Sequence, residues 1–416
     1  MAKPGTQQAQ RSKSSNGTTD TSLWSKAVAA AIGKAGTPCF VFSESMLARQ
    51  AARLNRVFEG LPVRHWWSFK TLPLRPAIQC WKSLGHGVEV VSEFEWRGAV
   101  KMGFGADQIL VNGPAKHVWI ADHARDGMRV NFDSLNEIRA LAPMAKRRRW
   151  RVGVRFNTTG EGNPEYPGVR TQFGMLPGEL REASRLLKRA GLSVEVAHFH
   201  LRTNVASARA YREAADEVLG LCGTLGWHPA ILDLGGGWPA EDIRDRAGKS
   251  LDASFSWTEL KREVEGLLGG IHGLREVWME NGRWLAAPAG VLAVRIIDVK
   301  EGRGRRTLIC DGGRTLQAMV STWEQHAVDV LRDRGGRRVE TLICGPTCMA
   351  FDNLGEHRLP AGLRPGDVLF WRDAGAYQIC WETRFSHGLA PVMWLGKNGV
   401  ERIRDAETFD DWWASR

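Results

Sequence analysis

The chain has 416 residues, of which 43% are hydrophobic and 25% are charged, a balance typical of a folded protein with about two domains. Its formal net charge is +11, but the basic residues are dispersed and form a single run, K-R-R-R-W-R at residues 146–151. We interpret that run as a solvated helix end, with weak non-specific attraction to nucleic acid as the alternative.

Neither a membrane span nor an export signal is visible in the sequence. No stretch approaches the roughly 20 apolar residues of a spanning helix, and the first residues lack a charged and then apolar signal pattern. The seven cysteines show no C-x-x-C spacing, which fits reduced thiols better than a disulfide framework. The sequence therefore predicts a cytoplasmic protein without a membrane or nucleic-acid partner.

The N-terminal part of the chain precedes the regular pattern. Residues 1–20 are rich in small and polar types and predict a disordered tail. Residues 22–32 predict a helix, and residues 39–42 predict a strand. We assign residues 21–42 to a segment that joins a C-terminal β domain. Ser43 has the character of a helix N-cap.

Short apolar runs alternate with segments of helical periodicity over residues 43–289. The runs predict strands at residues 64–69, 88–91, 109–111, 128–132, 151–156, 194–199, 231–234 and 276–279. The periodic segments predict helices at residues 94–102, 135–145, 177–190, 206–225 and 257–268. Strands that alternate with helices pair in parallel. The sequence therefore predicts an α/β fold in which these strands close into a parallel (β/α)8 barrel.

The pattern changes after residue 290 to β-rich segments separated by Gly and Pro. The candidate strands are residues 291–299, 307–311, 339–343, 367–371 and 390–395. Short strands without intervening helices are typical of antiparallel sheets. Residues 290–416 therefore predict a C-terminal, mostly antiparallel β domain.

Lys70 ends the first predicted barrel strand and precedes a Pro-rich break. Functional side chains of such barrels lie where the strands end, on the C-terminal face. Apolar surroundings at a strand mouth favour a lowered ammonium pKa and a nucleophilic amine suited to Schiff-base chemistry. The alternative is a solvated surface lysine.

Further distinctive residues end other predicted barrel strands on the same rim. They are Arg155 at the end of the fifth, His200 after the sixth, Gly235-Gly236-Gly237 after the seventh and Glu280 after the eighth. Glycines leave successive backbone N–H groups open to a phosphate, and a carboxylate can keep a pyridine nitrogen protonated. The alternatives are a tight turn, a core histidine and surface charges. Together these types suit an aromatic cofactor that bears a phosphate.

Eight short motifs also occur in a fixed order along residues 37–395. They are W-S-F-K-T-L-P at 67–73, G-V-E-V-V-S-E-F-E at 87–95, I-L-V-N-G-P-A-K at 109–116, F-H-L-R-T-N at 199–204, L-D-L-G-G-G-W at 232–238, E-N-G-R at 280–283, G-P-T-C-M-A-F-D at 345–352 and D-A-G-A-Y at 373–377. Together they resemble the fold-type III pyridoxal-phosphate decarboxylases. That family contains diaminopimelate, ornithine and arginine decarboxylases and shares its barrel with alanine racemase.

The resemblance implies pyridoxal 5′-phosphate as the cofactor. Lys70 would bind it as an internal aldimine, His200 would stack on its ring, and Glu280 would pair with its pyridine nitrogen. Glu89 and Arg155 would support the Schiff base and the ring. The residues implied at the phosphate are Thr203, Gly235, Gly236, Gly237, Arg283 and Tyr377.

The resemblance also implies a reaction and an assembly. The reaction would be decarboxylation of an amino acid through an external aldimine and a quinonoid. In the family the site forms between two subunits, so Cys348 of the neighbouring chain of a homodimer would protonate the resulting carbanion. Glu280 favours decarboxylation, because racemases of this fold generally place an arginine at that position.

The departures from the family pattern fall where the substrate is recognised. Met349 stands in place of an acidic residue that holds the distal end of the substrate. Met319 and Trp323 stand in place of an arginine and a tyrosine that bind a substrate carboxylate, and neither can make those charge-assisted bonds. Asp352 completes the predicted substrate-binding residues. We expect an amino acid with a larger or less polar side chain, or an amino-acid conjugate, rather than free diaminopimelate or ornithine.

Three alternatives remain at this point. The first is an amino-acid racemase that uses the same cofactor. The second is a metal-dependent barrel hydrolase, because His198 and His200 lie on one face of a strand; our assignment contains no metal. The third is an inactive member of the family that only binds a partner. The presence of Lys70, Glu280 and Cys348 in this chain argues against that alternative.

Overall fold

The computed structural model describes residues 17–160, 170–302, 304–320 and 322–416. Most of the predicted tail, residues 1–16, lies outside the described residues. A helix already begins at Gly17 and includes the predicted helix at residues 22–32.

The regular elements were assigned in chain order. The helices are α1 (Gly17–Ala35), α2 (Glu44–Val57), α3 (Arg75–Ser83), α4 (Glu93–Lys101), α5 (Leu135–Arg147), α6 (Pro177–Ala190), α7 (Arg209–Leu225), α8 (Trp257–Gly270), α9 (Arg283–Ala286) and α10 (Phe409–Ala414). The strands are β1 (Cys39–Ser43), β2 (Val63–Ser68), β3 (Gly87–Val90), β4 (Ile109–Val111), β5 (Arg129–Phe132), β6 (Arg151–Phe156), β7 (Val196–Phe199), β8 (Ile231–Asp233), β9 (Glu276–Asn281), β10 (Gly290–Gly302), β11 (Arg305–Cys310), β12 (Val328–Val330), β13 (Arg338–Cys344), β14 (Asn353–Pro360), β15 (Val368–Trp371), β16 (Val392–Gly396) and β17 (Gly399–Arg404).

Strands β2 to β9 form a closed barrel in which every neighbouring pair is parallel. Each predicted barrel strand overlaps one of them, so the predicted fold class is confirmed. One detail of the prediction was wrong, because β9 continues to Asn281 and contains Glu280, which pairs in register with Trp66. Glu280 is therefore held by the barrel ladder rather than by a loop.

Aromatic and aliphatic side chains close the inside of the barrel away from the catalytic rim. They form a separate buried cluster of Trp66, Leu110, Val196, Ile231 and Trp278. The rings of Trp66 and Trp278 meet edge to face with centroids 5.0 Å apart, the arrangement that aromatic quadrupoles favour. These side chains therefore fill the inside of the barrel at this level.

Serine caps explain where several helices begin. The side chain of Ser43 accepts a hydrogen bond from the backbone N–H of Met46, which confirms the predicted N-cap of α2. The predicted loop after Lys70 is instead a single helical turn followed by α3, whose first turn contains Pro76. The N–H groups of the first helical turn have no partner within the helix, so a proline there costs no hydrogen bond. Pro76 is therefore compatible with the start of this helix.

The second sheet has the strand order β14-β13-β11-β10-β1-β16-β17. In addition, β15 pairs with β10, and β12 pairs with β15. Most pairs are antiparallel, while β1 with β16 and β11 with β13 are parallel. All five predicted strands of this domain are present, and β12, β14 and β17 are additional. Strand β1 lies in this sheet between β10 and β16. The predicted domain limits at residues 43 and 290 stay a prediction.

The basic run at residues 146–151 lies at the end of α5 and the start of β6. Arg148 and Arg149 form ion pairs with Asp126 at 3.3 and 2.7 Å, and Arg151 pairs with Glu195. Much of its charge is therefore balanced within the chain. Within the described ranges, no helix combines the length and the apolar character needed to cross a bilayer.

Candidate active site

A cavity of about 670 Å³ opens where the barrel strands end. Eleven of the predicted site residues line it, namely Lys70, Glu89, Arg155, His200, Thr203, Gly236, Gly237, Glu280, Arg283, Met319 and Tyr377. Barrel strands supply Glu89, Arg155 and Glu280, and the segments that follow barrel strands supply six more. The loops of the β domain supply Met319 and Tyr377. The two domains therefore enclose one site together.

Lys70 lies in the helical turn after β2, and its Nζ donates a hydrogen bond to Glu89 Oε2 at 2.7 Å. Burial lowers the pKa of Lys70, but Glu89, Tyr377 and Glu280 raise it by more, so the net pKa lies above the ordinary value for lysine. Our expectation of a lowered pKa was therefore wrong, because a buried carboxylate outweighs the apolar surroundings. Before it can attack an aldehyde, the amine must lose a proton, and Glu89 is the adjacent acceptor.

Glu280 is a buried carboxylate whose oxygens are held by amide and imidazole groups. Asn112 donates to its Oε1 at 2.5 Å, and His198 Nε2 lies 3.2 Å from the same oxygen. Burial raises the pKa of Glu280, but His198 and the other nearby bases lower it by more. Burial and the charge of Glu280 raise the pKa of Asp233 instead. The negative charge therefore resides on Glu280, which faces the cavity.

The ring of His200 lies in the cavity wall after β7. Its Nδ1 accepts a hydrogen bond from the backbone N–H of Gly236 at 3.1 Å, which leaves the proton of the neutral ring on Nε2. Burial and the nearby Arg155 lower the pKa of His200 to about 3. The imidazole is therefore neutral at physiological pH and suited to contact with an aromatic face.

The Gly235-Gly236-Gly237 turn departs from the predicted arrangement in its hydrogen bonds. The N–H of Gly235 donates to Asp233 Oδ1 at 3.0 Å, and that of Gly236 donates to His200. These two amides cannot also point at a phosphate, so the prediction was wrong for them. The N–H of Gly237 makes no hydrogen bond within the described part of the chain, and it remains for an anion.

Arg155 is held at the rim by an acidic and an aromatic neighbour. Its Nη1 lies 3.9 Å from Asp133 Oδ1, and its guanidinium lies 4.7 Å from the ring centre of Phe173. Asp133 is fixed in turn by the N–H of Gly174 at 3.1 Å. The position of Arg155 is therefore determined by the loop between β6 and α6 as well as by its own strand.

Tyr377 covers the cavity from the β domain in a left-handed backbone conformation, with φ of 62°. Such a conformation is costly for a bulky residue and is often found at functional sites. Its N–H donates to the carbonyl of Thr71 at 2.8 Å, and the guanidinium of Arg283 lies 4.9 Å from its ring centre. These contacts fix the tyrosine beside the turn that carries Lys70.

Five predicted site residues do not line the cavity of this chain, namely Gly235, Trp323, Cys348, Met349 and Asp352. Trp323 is close by, because its ring packs edge to face on the cavity residue Trp381 at 5.8 Å. Gly235 lies beneath His200, whose ring a Cβ at this position would contact at 2.8 Å.

Asp352 organises the loop that carries Cys348 and does not contact the cavity. Its Oδ2 accepts hydrogen bonds from the N–H and hydroxyl groups of Thr347, and its Oδ1 accepts one from the N–H of Arg314. Only 3% of Asp352 is exposed, whereas Cys348 is exposed. The carboxylate is thus engaged within the chain, in contrast to the substrate-binding role that we expected.

Some residues of the site were not predicted from the sequence. Asn112 directly follows β4, so the rule that strand ends carry the site could have identified it. Asp233 is a polar residue inside an apolar run, which is a signal of buried function. His198 was considered only as a metal ligand in the hydrolase alternative, not as a partner of Glu280. Glu324, which pairs with Arg283 at 2.5 Å, follows no barrel strand and has no comparable local signal.

The histidine pair that suggested a metal site is arranged differently from our alternative. His198, Asp233 and Glu280 each bring one potential ligand atom within 4.8 Å of the others. His200 is not part of this group, and its Nδ1 is occupied by the N–H of Gly236. The group is buried and joined to Asn112 and Asn131 by side-chain hydrogen bonds, as expected for a network that orients Glu280.

Comparison with known proteins gives a consistent picture. The family model described as "Pyridoxal-dependent decarboxylase, pyridoxal binding domain" matches residues 44–287. A diaminopimelate decarboxylase of Actinosynnema pretiosum subsp. auranticum is 30% identical over 388 residues, which are 88% of this chain and 86% of that protein. The diaminopimelate decarboxylase of Deinococcus radiodurans is 27% identical over 386 residues, with 91% and 96% covered.

A solved structure supports the fold. The diaminopimelate decarboxylase of Helicobacter pylori complexed with L-lysine superposes with a TM-score of 0.80 at 18% identity, covering 93% of this chain and 98% of that one. At this identity the similarity concerns the fold alone. It agrees with the arrangement of a barrel followed by a β domain.

Proposed function

The chain belongs to the fold-type III pyridoxal-dependent decarboxylase family, and we propose that it decarboxylates an amino acid or amino-acid conjugate other than free diaminopimelate or ornithine. Family membership makes it a carboxy-lyase that uses pyridoxal 5′-phosphate. The observation that carries the substrate proposal is the uncharged wall at Met319, where an aromatic pair of Trp323 and Trp381 continues the surface.

The residues of the cavity fit this cofactor. A Cβ at Gly236 would overlap the carbonyl oxygen of Glu280, and a Cβ at Gly237 would overlap that of Arg202, so only glycine fits at these two positions of the cavity wall. The buried Nε of Arg283 has no hydrogen-bond partner among the described residues. The amine of Lys70 and the carboxylate of Glu280 lie in the same cavity. An amine suits the aldehyde of the cofactor, and an ionised carboxylate suits its pyridine nitrogen.

Each of these groups has a defined task. Lys70 would hold the cofactor covalently, Glu280 would pair with the pyridine nitrogen, and the neutral ring of His200 would contact the ring face. The residues that would surround the phosphate are Thr203, Gly237 and Tyr377. When bound, pyridoxal phosphate supplies an electron sink for the negative charge that remains at the α-carbon after carbon dioxide leaves.

Proton transfer begins with the pair of Lys70 and Glu89. Lys70 Nζ donates a hydrogen bond to Glu89 Oε2 at 2.7 Å, and Nζ would have to release a proton before its lone pair could attack an aldehyde. Glu280 stays ionised because the nearby bases lower its pKa, so it would favour a protonated pyridine nitrogen in a bound cofactor. Met319 and Trp381 add apolar surface to the lining of the same cavity.

The substrate proposal rests on the chemistry of the cavity wall. Met319 and the tryptophan pair offer dispersion and aromatic contacts, but no donor for a carboxylate except the indole N–H groups. A charged side-chain end placed against Met319 would gain no charge-assisted hydrogen bond from it. A side chain with an apolar or bulky end loses nothing on entering the same space.

The relatives are named diaminopimelate decarboxylases, so meso-diaminopimelate is the decisive comparison substrate. We expect its kcat/KM to lie at least about 100-fold below that of the best amino acid with an uncharged side chain. The initial rate of carbon dioxide release by the purified holoenzyme measures both values. Efficient turnover of meso-diaminopimelate or ornithine would disprove the substrate proposal and leave the reaction type intact.

We also propose that two chains form the working enzyme and that Cys348 acts in the cavity of the partner. Cys348 is exposed on a loop braced by Asp352 and does not line the cavity of its own chain. The same loop exposes Phe351, which is 58% accessible, and Trp323 and Trp381 are 41% and 48% accessible beside the cavity. A second copy would cover this apolar surface and bring a thiol to the site.

Cys348→Ala is expected to retain the bound cofactor and to lower kcat by about 10²-fold, the scale of a lost general acid. Steady-state rates and analysis of the products give the readout, with the half-buried Cys80→Ala on α3 as the control. Mixing Cys348→Ala with Lys70→Ala subunits should restore activity if a site combines two chains. Unchanged turnover and product purity would remove Cys348 from the mechanism.

A further inference from the structure

Arg283 lines the cavity and forms a buried ion pair with Glu324. Arg283 follows β9 at the start of α9, and its Nη1 lies 2.5 Å from Glu324 Oε1. The two side chains are 6% and 2% exposed. Glu324 comes from the loop of the β domain that also carries Met319 and Trp323, so the pair joins the two domains at the site.

Glu324 is held firmly by groups other than the arginine. Its Oε2 lies 3.1 Å from Nε2 of His326, whose Nδ1 contacts the backbone carbonyl of Arg372 at 3.0 Å. The side chain of Asn204 also donates a hydrogen bond to it. Burial raises the pKa of Glu324, but Arg283 and His326 lower it by more. The carboxylate is therefore ionised and fixed in orientation.

This pair changes what the cavity can bind. A free guanidinium in a partly dry cavity is a strong site for a carboxylate. Here its charge is already neutralised, and its face packs against Tyr377. A carboxylate at the end of a substrate side chain would approach a guanidinium whose charge Glu324 already balances, so the attraction that a free arginine offers would be largely lost. The neighbouring wall at Met319 and Trp381 is uncharged.

We propose that Glu324 determines the substrate specificity of this enzyme by neutralising Arg283, so that the enzyme accepts amino acids whose side chains end in an uncharged, apolar group. This inference rests on the proposed function, because it concerns the same cavity. The proposed function only excludes charged substrates; the inference names the residue responsible, Glu324, and the class of side chain that the enzyme accepts.

The test compares two amino acids of equal carbon number, norleucine and 2-aminoadipate, which differ in having an apolar end or a carboxylate. The dissociation constant of each, as both enantiomers, is measured from the change in the visible absorption of the holoenzyme. The proteins are the wild type, Glu324→Gln and Glu356→Gln. Glu356 pairs with Arg305 on the exposed surface of β14 and provides the same chemical change outside the site.

The wild type should bind norleucine more tightly than 2-aminoadipate. Glu324→Gln should shift this preference toward 2-aminoadipate by about tenfold or more, the scale of a hydrogen bond to a charged group, while Glu356→Gln keeps the wild-type ratio. Glu324→Asp, which retains the charge, should also keep a preference for norleucine.

An unchanged ratio in a folded Glu324→Gln holoenzyme would overturn the proposal. Should that variant fail to fold, the wild type still decides, because tighter binding of 2-aminoadipate than of norleucine contradicts a neutralised Arg283. If the proposed function itself were wrong, no amino acid would alter the visible absorption of the holoenzyme. That result is distinct from an unchanged binding ratio, and it would also overturn the inference.

Discussion

Lys70→Ala is expected to abolish the visible absorption band of covalently bound pyridoxal phosphate and to lower the decarboxylation rate by at least about 10³-fold. Lys70 is the lysine that lines the cavity, and its Nζ lies 2.7 Å from Glu89. The arginines of the cavity cannot replace it, because guanidinium groups stay protonated. Because alanine has a shorter side chain than lysine, the substitution should leave the cavity open.

The spectrum of the purified variant after incubation with pyridoxal phosphate measures this effect. Lys101→Ala is the matched control, since Lys101 lies on the exposed end of α4. Circular dichroism and thermal unfolding show whether the variant keeps its fold. A folded Lys70→Ala protein with an unchanged visible band would refute the assignment of the lysine.

Glu280→Gln is expected to keep the covalently bound cofactor and to lower kcat by about 10²- to 10³-fold, the scale of one lost electrostatic partner in a dry site. Glutamine preserves the shape of the side chain and its contact with Asn112. It cannot carry the negative charge that would hold a proton on a pyridine nitrogen. The loss should therefore appear in kcat more than in KM.

Steady-state kinetics and the visible spectrum of the variant give the two readouts. Glu276→Gln provides the same change on the same strand, where Glu276 pairs with Arg64 at 3.0 Å outside the cavity. This control should retain the wild-type kcat. If Glu280→Gln also retained it, the proposed partner of the pyridine nitrogen would be wrong.

The barrel could be predicted because its strands are short apolar runs that alternate with amphipathic helices. Their ends carry the site for a geometric reason, so Lys70, His200 and Glu280 could be located from the sequence. The order of the strands followed from the parallel pairing that such alternation imposes. Two helices of this part were missed, the short α9 and α3. Helix α3 begins at a proline-rich segment that we interpreted as a break.

The errors concern interactions between residues that are distant in the sequence. The pKa of Lys70 is raised by Glu89, which the barrel brings to 2.7 Å, whereas the local apolar run favoured the opposite shift. The amides of Gly235 and Gly236 are used by Asp233 and His200, so the glycine pattern alone overestimated the anion site. Glu324 reaches Arg283 from the other domain, and no local pattern encodes that contact.

The most direct test of this account is the visible absorption spectrum of the purified holoenzyme during titration with a panel of L- and D-amino acids, with released carbon dioxide measured in parallel. The account predicts that an amino acid with an uncharged side chain shifts the band and releases carbon dioxide, whereas meso-diaminopimelate and ornithine do so poorly. A spectral shift without carbon dioxide for every amino acid, as a racemase would give, would contradict it.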